Sequence, residues 1–266
     1  MAEHDERFPE RPDRAPDFVD TFSGANLRGK LWVGEYLPHW TTPDRSLARY
    51  DMRELSGLRL RIDEDQPDWR VEDAPLRVSN IQTGTFSGPV GSERGTHRHR
   101  SGLTVRTVTP ERLLWAPSSG RVDVTVSASV DEGCMLAAWL VGVENESPAD
   151  SGEVCIFEID STAIGPRTTQ ARSGVKAHGD ESLLTDMEEI DIPVDASRPH
   201  TWSVVWGSGE TIIGCEGVVV KRSPQAPNYP MFLMIDLFET GGRSADADAY
   251  PKTAIVHAVR GWATRS

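Results

Sequence analysis

The chain has only three cysteines in 266 residues, Cys134, Cys155 and Cys215, and none of them forms a C-x-x-C pair. An odd, scattered set builds no disulfide framework and suits a reducing compartment, so the expected location is cytoplasmic. Basic residues are also scarce: 28 Lys and Arg stand against 41 Asp and Glu, a formal charge of -13. That balance repels polyphosphates and anionic bilayers, which argues against nucleic-acid and membrane partners and leaves a neutral ligand open. Long apolar runs are missing too. The longest, "CMLAAWLVGV" at 134–143, is about half a membrane span, and the start "MAEHDERFPERPDRAPDF" has no apolar stretch after a basic one. There is no G-x-S-x-G, Walker loop, G-x-G-x-x-G or H-E-x-x-H, which removes the commonest hydrolase and nucleotide chemistries. No cofactor or metal is called for.

What remains is a chain whose dominant period is two. "RVDVTVSASV" sets Val122, Val124, Val126, Ala128 and Val130 on one face, and "HTWSVVW" does the same with Trp202, Val204 and Trp206 before "GSGE" turns the chain into "TIIG" and "CEG" into "VVVK". Further strands are expected at "LWVGEY", "LRLRI", "LTVRTV", "MLAAWLVG", "EVCIFEI", "YPMFLMIDLF" and "AIVHAVRGW", with a short helix in "PDRSLARY". More than ten strands with almost no helical periodicity predict an all-β fold: a two-sheet antiparallel sandwich with a concave ligand groove. Residues 1–16, rich in Pro, Arg, Asp and Glu, are expected to be a flexible leader, and 17–266 a single domain.

The chemistry concentrates in "SGEVCIFEID", residues 151–160. In a regular strand Glu153 and Cys155 share a face and Glu158 takes the other. One residue accommodated as a β-bulge after Ile156 would return Glu158 to the same side, and two carboxyls would then line one groove. The rival register, with Glu158 first and Asp160 in the middle, needs a third carboxyl where the chain has Thr162 and Ala163, so it fails.

The stretch "AAWLVGVENESPADSGEVCIFE" resembles the signature of the family 16 glycoside hydrolases, the laminarinase and lichenase group, whose pattern runs from W-L-x-G to G-E-I-D-I-x-E. Downstream, "RPHTWSVVW", "IIGCEGVVVK" and "YPMFLMIDLFE" resemble that family's F-H-x-Y-x-x-E-W, F-Y-V-D-G-x-x-V and P-M-x-L-M-L-N-L-W strands. Upstream, "APSSGRVDVTVSAS" resembles its Y-G-x-x-E-A-R strand, so the likeness runs in order over roughly residues 100–262.

The resemblance implies a concanavalin A-like jelly roll of the lectin and glucanase type. It also implies retaining hydrolysis of a β-glucan or related oligosaccharide, with Glu153 as nucleophile, Glu158 as acid and base, and Cys155 in the supporting position between them. Cys155 stands where the family has aspartate, Met135 where it has a sugar-stacking tryptophan, and Phe238 where it has the last tryptophan of its L-W pair. Sugar contacts are expected from Trp115, Met135, Trp139, His178 and Phe238, and further stacking from Trp40 and Trp69. His97 and His99 have the spacing of metal ligands on a strand, yet "RGTHRHRSG" reads as a basic exposed loop; His200 reads as structural. The alternative is a non-catalytic carbohydrate-binding module with a degenerate cleft, supported by Cys155 and Met135.

Overall fold

The computed structural model describes residues 6–52 and 57–265. Among them the early strands are β1 (Phe18–Asp20), β2 (Arg49–Asp51), β3 (Leu58–Ile62), β4 (Arg77–Gln82), β5 (Gly84–Thr85), β6 (Arg112–Leu113), β7 (Gly120–Ser127) and β8 (Cys134–Gly142). They continue as β9 (Glu153–Asp160), β10 (Thr169–Lys176), β11 (Asp186–Ile192), β12 (His200–Gly207), β13 (Glu210–Cys215), β14 (Val218–Ser223), β15 (Met231–Glu239) and β16 (Lys252–Ala263). Helix among the described residues is confined to single turns, one of them α1 (Pro43–Ser46) inside the segment where a helix was expected. No helix among the described residues is long and apolar enough to cross a membrane.

Two antiparallel sheets make the sandwich. One runs β14-β13-β12-β7-β16-β3-β2 with β1 on β16, and the other runs β11-β10-β9-β8-β15-β4. Period two explains their shared core: Val122, Val124 and Val126 of β7 and Trp202, Val204 and Trp206 of β12 face Leu136, Ala138 and Leu140 of β8 and Leu233, Ile235 and Leu237 of β15, all essentially sealed from water. The intervening residues of the six-stranded sheet build a second apolar layer on its other face. There Ala137, Trp139, Val141, Cys155, Met234 and Phe238 are covered by Tyr36, Leu37, Trp40, Trp69, Leu103 and Val105 from the connections.

That covering accounts for two expected strands that are not strands. In "LWVGEY" and "LTVRTV" Tyr36, Leu103 and Val105 pack on the second layer as irregular chain, while Trp32 turns into the inter-sheet core and Val108 is exposed, with only bridges such as Val33 to Gln82. Conversely β10 and β11 were not expected, because their polar residues broke the apolar pattern. Val130 lies beyond the end of β7 and is exposed rather than facing the core.

The leader is also corrected where it is described. Phe8 is buried against Ile212 and Val219, its amide donates to Gly217 O at 2.9 Å, and Arg11 Nε donates to the buried Asp123 at 2.6 Å. One aromatic anchor and one charge partner are enough to fix residues 6–16 along the eight-stranded sheet; residues 1–5 lie outside the described chain.

Candidate active site

The geometry of β9 turns on one irregularity. Against β8, Ala138 pairs with Phe157 and Trp139 with Cys155, so Ile156 is an extra residue; against β10 the register shifts at the same point. Ile156 and Phe157 therefore both enter the inter-sheet core, and Glu153, Cys155 and Glu158 all face the second layer. Two glycines make room for the approach to this strand. A Cβ on Gly142 would stand 1.8 Å from Asp150 O, and one on Gly152 would stand 2.4 Å from Tyr229 Oη, which accepts the Gly152 amide at 2.7 Å.

Carboxylate oxygens of Glu153 and Glu158 come within 4.8 Å of each other. Lys176 Nζ stands between them, 2.9 Å from Glu153 Oε1 and 2.6 Å from Glu158 Oε1. Arg172 Nε donates to Glu158 Oε2 at 2.8 Å, and its Nη1 to Asp160 Oδ2 at 2.6 Å. The other oxygen of Glu153 accepts from His178 Nε2 at 3.0 Å and faces His97 Nε2 at 4.0 Å.

Burial pushes the Glu153 carboxyl up, but the His178 hydrogen bond and the charge of Lys176 outweigh it and hold the group at about 2. The same cluster holds the Lys176 ammonium above its ordinary value although burial opposes it. Burial pushes His97 down to about 3, so its ring is neutral at physiological pH. Cys155 is pushed well up by burial, then by Glu158, and its thiol donates to Arg172 O at 3.4 Å. It is a neutral donor here and no nucleophile.

The expected open groove is narrower in the structure. Glu153 is 1% exposed and Glu158 8%, because His97, His178 and Lys176 lie over the first of them. The adjoining open space is a cavity of about 390 Å³ lined by His178, His99, Arg94, Arg98, Arg100 and Glu144, among others. It reaches Glu153 through the His178 ring. His97, Glu144 and His178 all have positive φ, at 54°, 59° and 46°. Left-handed backbone at two histidines over one carboxylate, and at the Glu144 that bonds the Arg98 amide, is strain that the surrounding packing must hold.

The other expected sugar contacts divide. Trp139 is on the site face, its ring 5.4 Å from Lys176 Nζ and 5.5 Å from Phe238. Met135 Sδ accepts from Arg172 Nη2 at 3.1 Å, and Phe238 is on the same face but covered by Tyr36. Trp115 does not reach this face: it lies in the inter-sheet core beside Phe18 and Trp206, in the space left by the missing side chain of Gly261. Trp40 and Trp69 are sealed in the second layer, with their ring N–H groups donating to Thr96 O and Tyr36 O. His97, expected in an exposed loop, is buried. Asp160 closes its strand against Arg172, and His200 bonds Asp195 O at 3.1 Å.

Lys176 and Arg172 were missed. Their signal was available: in "TQARSGVK" Ala171, Ser173 and Val175 alternate with Arg172, Gly174 and Lys176, which places both cations on one face. Also missed was Asp236, buried and accepting from Asn80 at 2.6 Å, whose carboxyl burial pushes well up. It occupies the asparagine position of the resembled strand and, kept neutral, is a near match for an amide. Among the described residues two donor sets are compact enough to hold a cation, His97–Glu153–His178 and Glu153–Cys155–Glu158. Positive charge is already supplied between the two glutamates by Lys176.

No protein-family model and no curated protein sequence matches the chain. Solved structures do. The GlcNAcα1-4Gal-releasing endo-β-galactosidase of Clostridium perfringens superposes with a TM-score of 0.80 at 21% identity, covering 98% of this chain and 65% of that one. This chain thus spans about two thirds of that enzyme's structure. SCLam, a non-specific endo-β-1,3(4)-glucanase of family GH16, gives 0.65 at 16% identity over 98% and 96% of the two chains. The laminarinase of Rhodothermus marinus gives 0.63 at 15% over 95% and 98%. The protein has the jelly-roll fold of the family 16 glycosidases.

Proposed function

We propose that the protein is a glycoside hydrolase that cuts O-glycosidic bonds of an oligosaccharide by double displacement with retention. The observation that carries the reading is the separation of two carboxylates on one face, within 4.8 Å oxygen to oxygen. Retaining pairs stand about 5–5.5 Å apart, whereas inverting pairs leave about 6.5–9.5 Å for a water. Glu153, held ionised by His178 and Lys176, attacks the anomeric carbon as Glu158 gives its proton to the leaving oxygen. Glu158 then takes a proton from water, the hydroxyl adds to the same carbon, and Glu153 is released. The substrate range follows the neighbours: a β-galactoside, which the C. perfringens enzyme acts on, belongs beside β-glucans.

A second reading, a binding module without turnover, is favoured by one specific contact. Glu158 is held between Arg172 on Oε2 and Lys176 on Oε1, so both of its oxygens are already engaged where a general acid needs one for the leaving group. Reducing ends released from a panel of β-glucans and β-galactans, with the first product anomer read by NMR, separate the two. Product of retained configuration that disappears in Glu158→Gln supports hydrolysis. Saturable binding without product supports the module, and inverted product removes the assigned roles.

A further inference from the structure

Residues 93–106 read "ERGTHRHRSGLTVR", four arginines and two histidines against one glutamate, in a chain of charge -13. The structure ties this basic segment down over the site. Arg94 O accepts the Gly88 amide at 2.8 Å, Val105 N donates to Ser92 O at 2.8 Å, and Thr96 O accepts from the His39 and Trp40 rings. Arg94, Arg98 and Arg100 consequently line the cavity that meets Glu153 through His178.

The charges in that cavity are unequally matched. Arg98 pairs with Glu93 at 2.6 Å through side chains open enough to solvent for the pair to be weak, and Arg100 pairs with Asp73, a carboxylate it shares with Arg70. Arg94 donates to Asn145 O at 2.7 Å and stacks on Phe86, with no carboxylate among its contacts in the described residues. The other acid in the lining, Glu144, is pushed up to about 8 by burial, so it carries a proton for most of the time at neutral pH. A neutral sugar entering here would strip water from guanidinium groups and return no charge to them. An anionic group would be met by planar donors that fit a sulfate or carboxylate through two parallel bonds.

We propose that this cavity is a subsite for a negatively charged sugar residue, one bearing a sulfate ester or a carboxylate, separated from Glu153 by the His178 ring. The inference rests on the carbohydrate reading of the site and deepens it from a neutral to an acidic glycan.

The test is isothermal titration of the full chain carrying Glu153→Gln, which prevents turnover. The probes are a sulfated galactan hexasaccharide, the same oligosaccharide after desulfation, and tri-galacturonate. At least one charged probe is expected to bind about tenfold more tightly than the desulfated one, and whether the sulfated probe or the uronate leads identifies the anion. Adding Arg94→Gln and Arg98→Gln together is expected to remove that advantage and leave the neutral probe bound. If the double change lowers the melting temperature, Arg94→Gln alone, at an exposed side chain, must still reduce the preference. Equal affinity for charged and neutral probes, or a preference that survives these substitutions, overturns the subsite and leaves the hydrolase reading standing. Binding of no probe overturns the subsite, while the reducing-end assay on β-glucans and β-galactans decides the hydrolase reading separately.

Discussion

Two buried acid clusters in this molecule differ in how fully their charge is matched. At the end of β15, Glu239 faces Arg77, accepts from Tyr250 Oη at 3.0 Å and meets Lys252 Nζ at 2.6 Å, all but sealed from solvent. One carboxylate there has two cations to itself. At β9 the ratio is reversed: Glu153, Glu158 and Asp160 share Lys176 and Arg172, His97 facing Glu153 is neutral, and a cavity opens alongside. A matched cluster has nothing left to offer a ligand and serves as a clamp between strands. An under-matched pair, at strained backbone and next to open space, keeps the capacity to change its bonding when something enters.

Breaking each cluster should therefore give different losses. Glu153→Gln should reduce turnover by roughly 10³-fold or more, a loss out of proportion to the stability that goes with its ion pair to Lys176, as read by paired rate and calorimetric measurements. Arg77→Met should do the opposite, destabilising by about 3–5 kcal/mol because Glu239 loses a buried partner, with little change in the rate constant of the surviving folded enzyme. Urea unfolding measures this, and a loss below about 1 kcal/mol would remove the distinction between the clusters.

Lys176→Met sharpens the comparison from the site's side. Without the shared cation the two carboxylates repel each other, and the pair should keep a proton to higher pH, moving the alkaline limit of the rate profile upward by about one unit. An unchanged limit would mean that Lys176 does not govern the pair.

The smallest effect is at Glu144. Its folded value of about 8 lies above the ordinary 4.5, so its contribution is present below about 4.5 and is lost as pH rises through about 8. Glu144→Gln lacks this loss and should give up less melting temperature between pH 5 and pH 9 than the parent, as read by calorimetry across that range. Glu153 has the reverse sign: its stability is present above about 4.5 and falls away as pH drops toward about 2.

Some of this was legible from residue order. The strands of the core show in period-two apolar residues because half-buried strands have no other way to satisfy both faces. The kink after Ile156 follows from two acids five positions apart, once they are required on one side. Other features were hidden because their cause is remote in the chain. "LTVRTV" looks like a strand and is instead a cover, since the layer it packs against comes from four other segments. Trp115 looks like a sugar platform and is instead core, since Gly261, 146 positions away, leaves it a space.

By itself the sequence determined the sandwich, its main strands and the two glutamates on β9, because alternation and a bulge are local properties of the chain. Only the tertiary structure decided that Lys176 and Arg172 would be wedged against those acids, that His97 would be turned inward to face Glu153, and that a basic loop would wall a cavity beside them. Those facts depend on which strands become neighbours, and strand order is fixed by burial of the whole core rather than by any one stretch of residues.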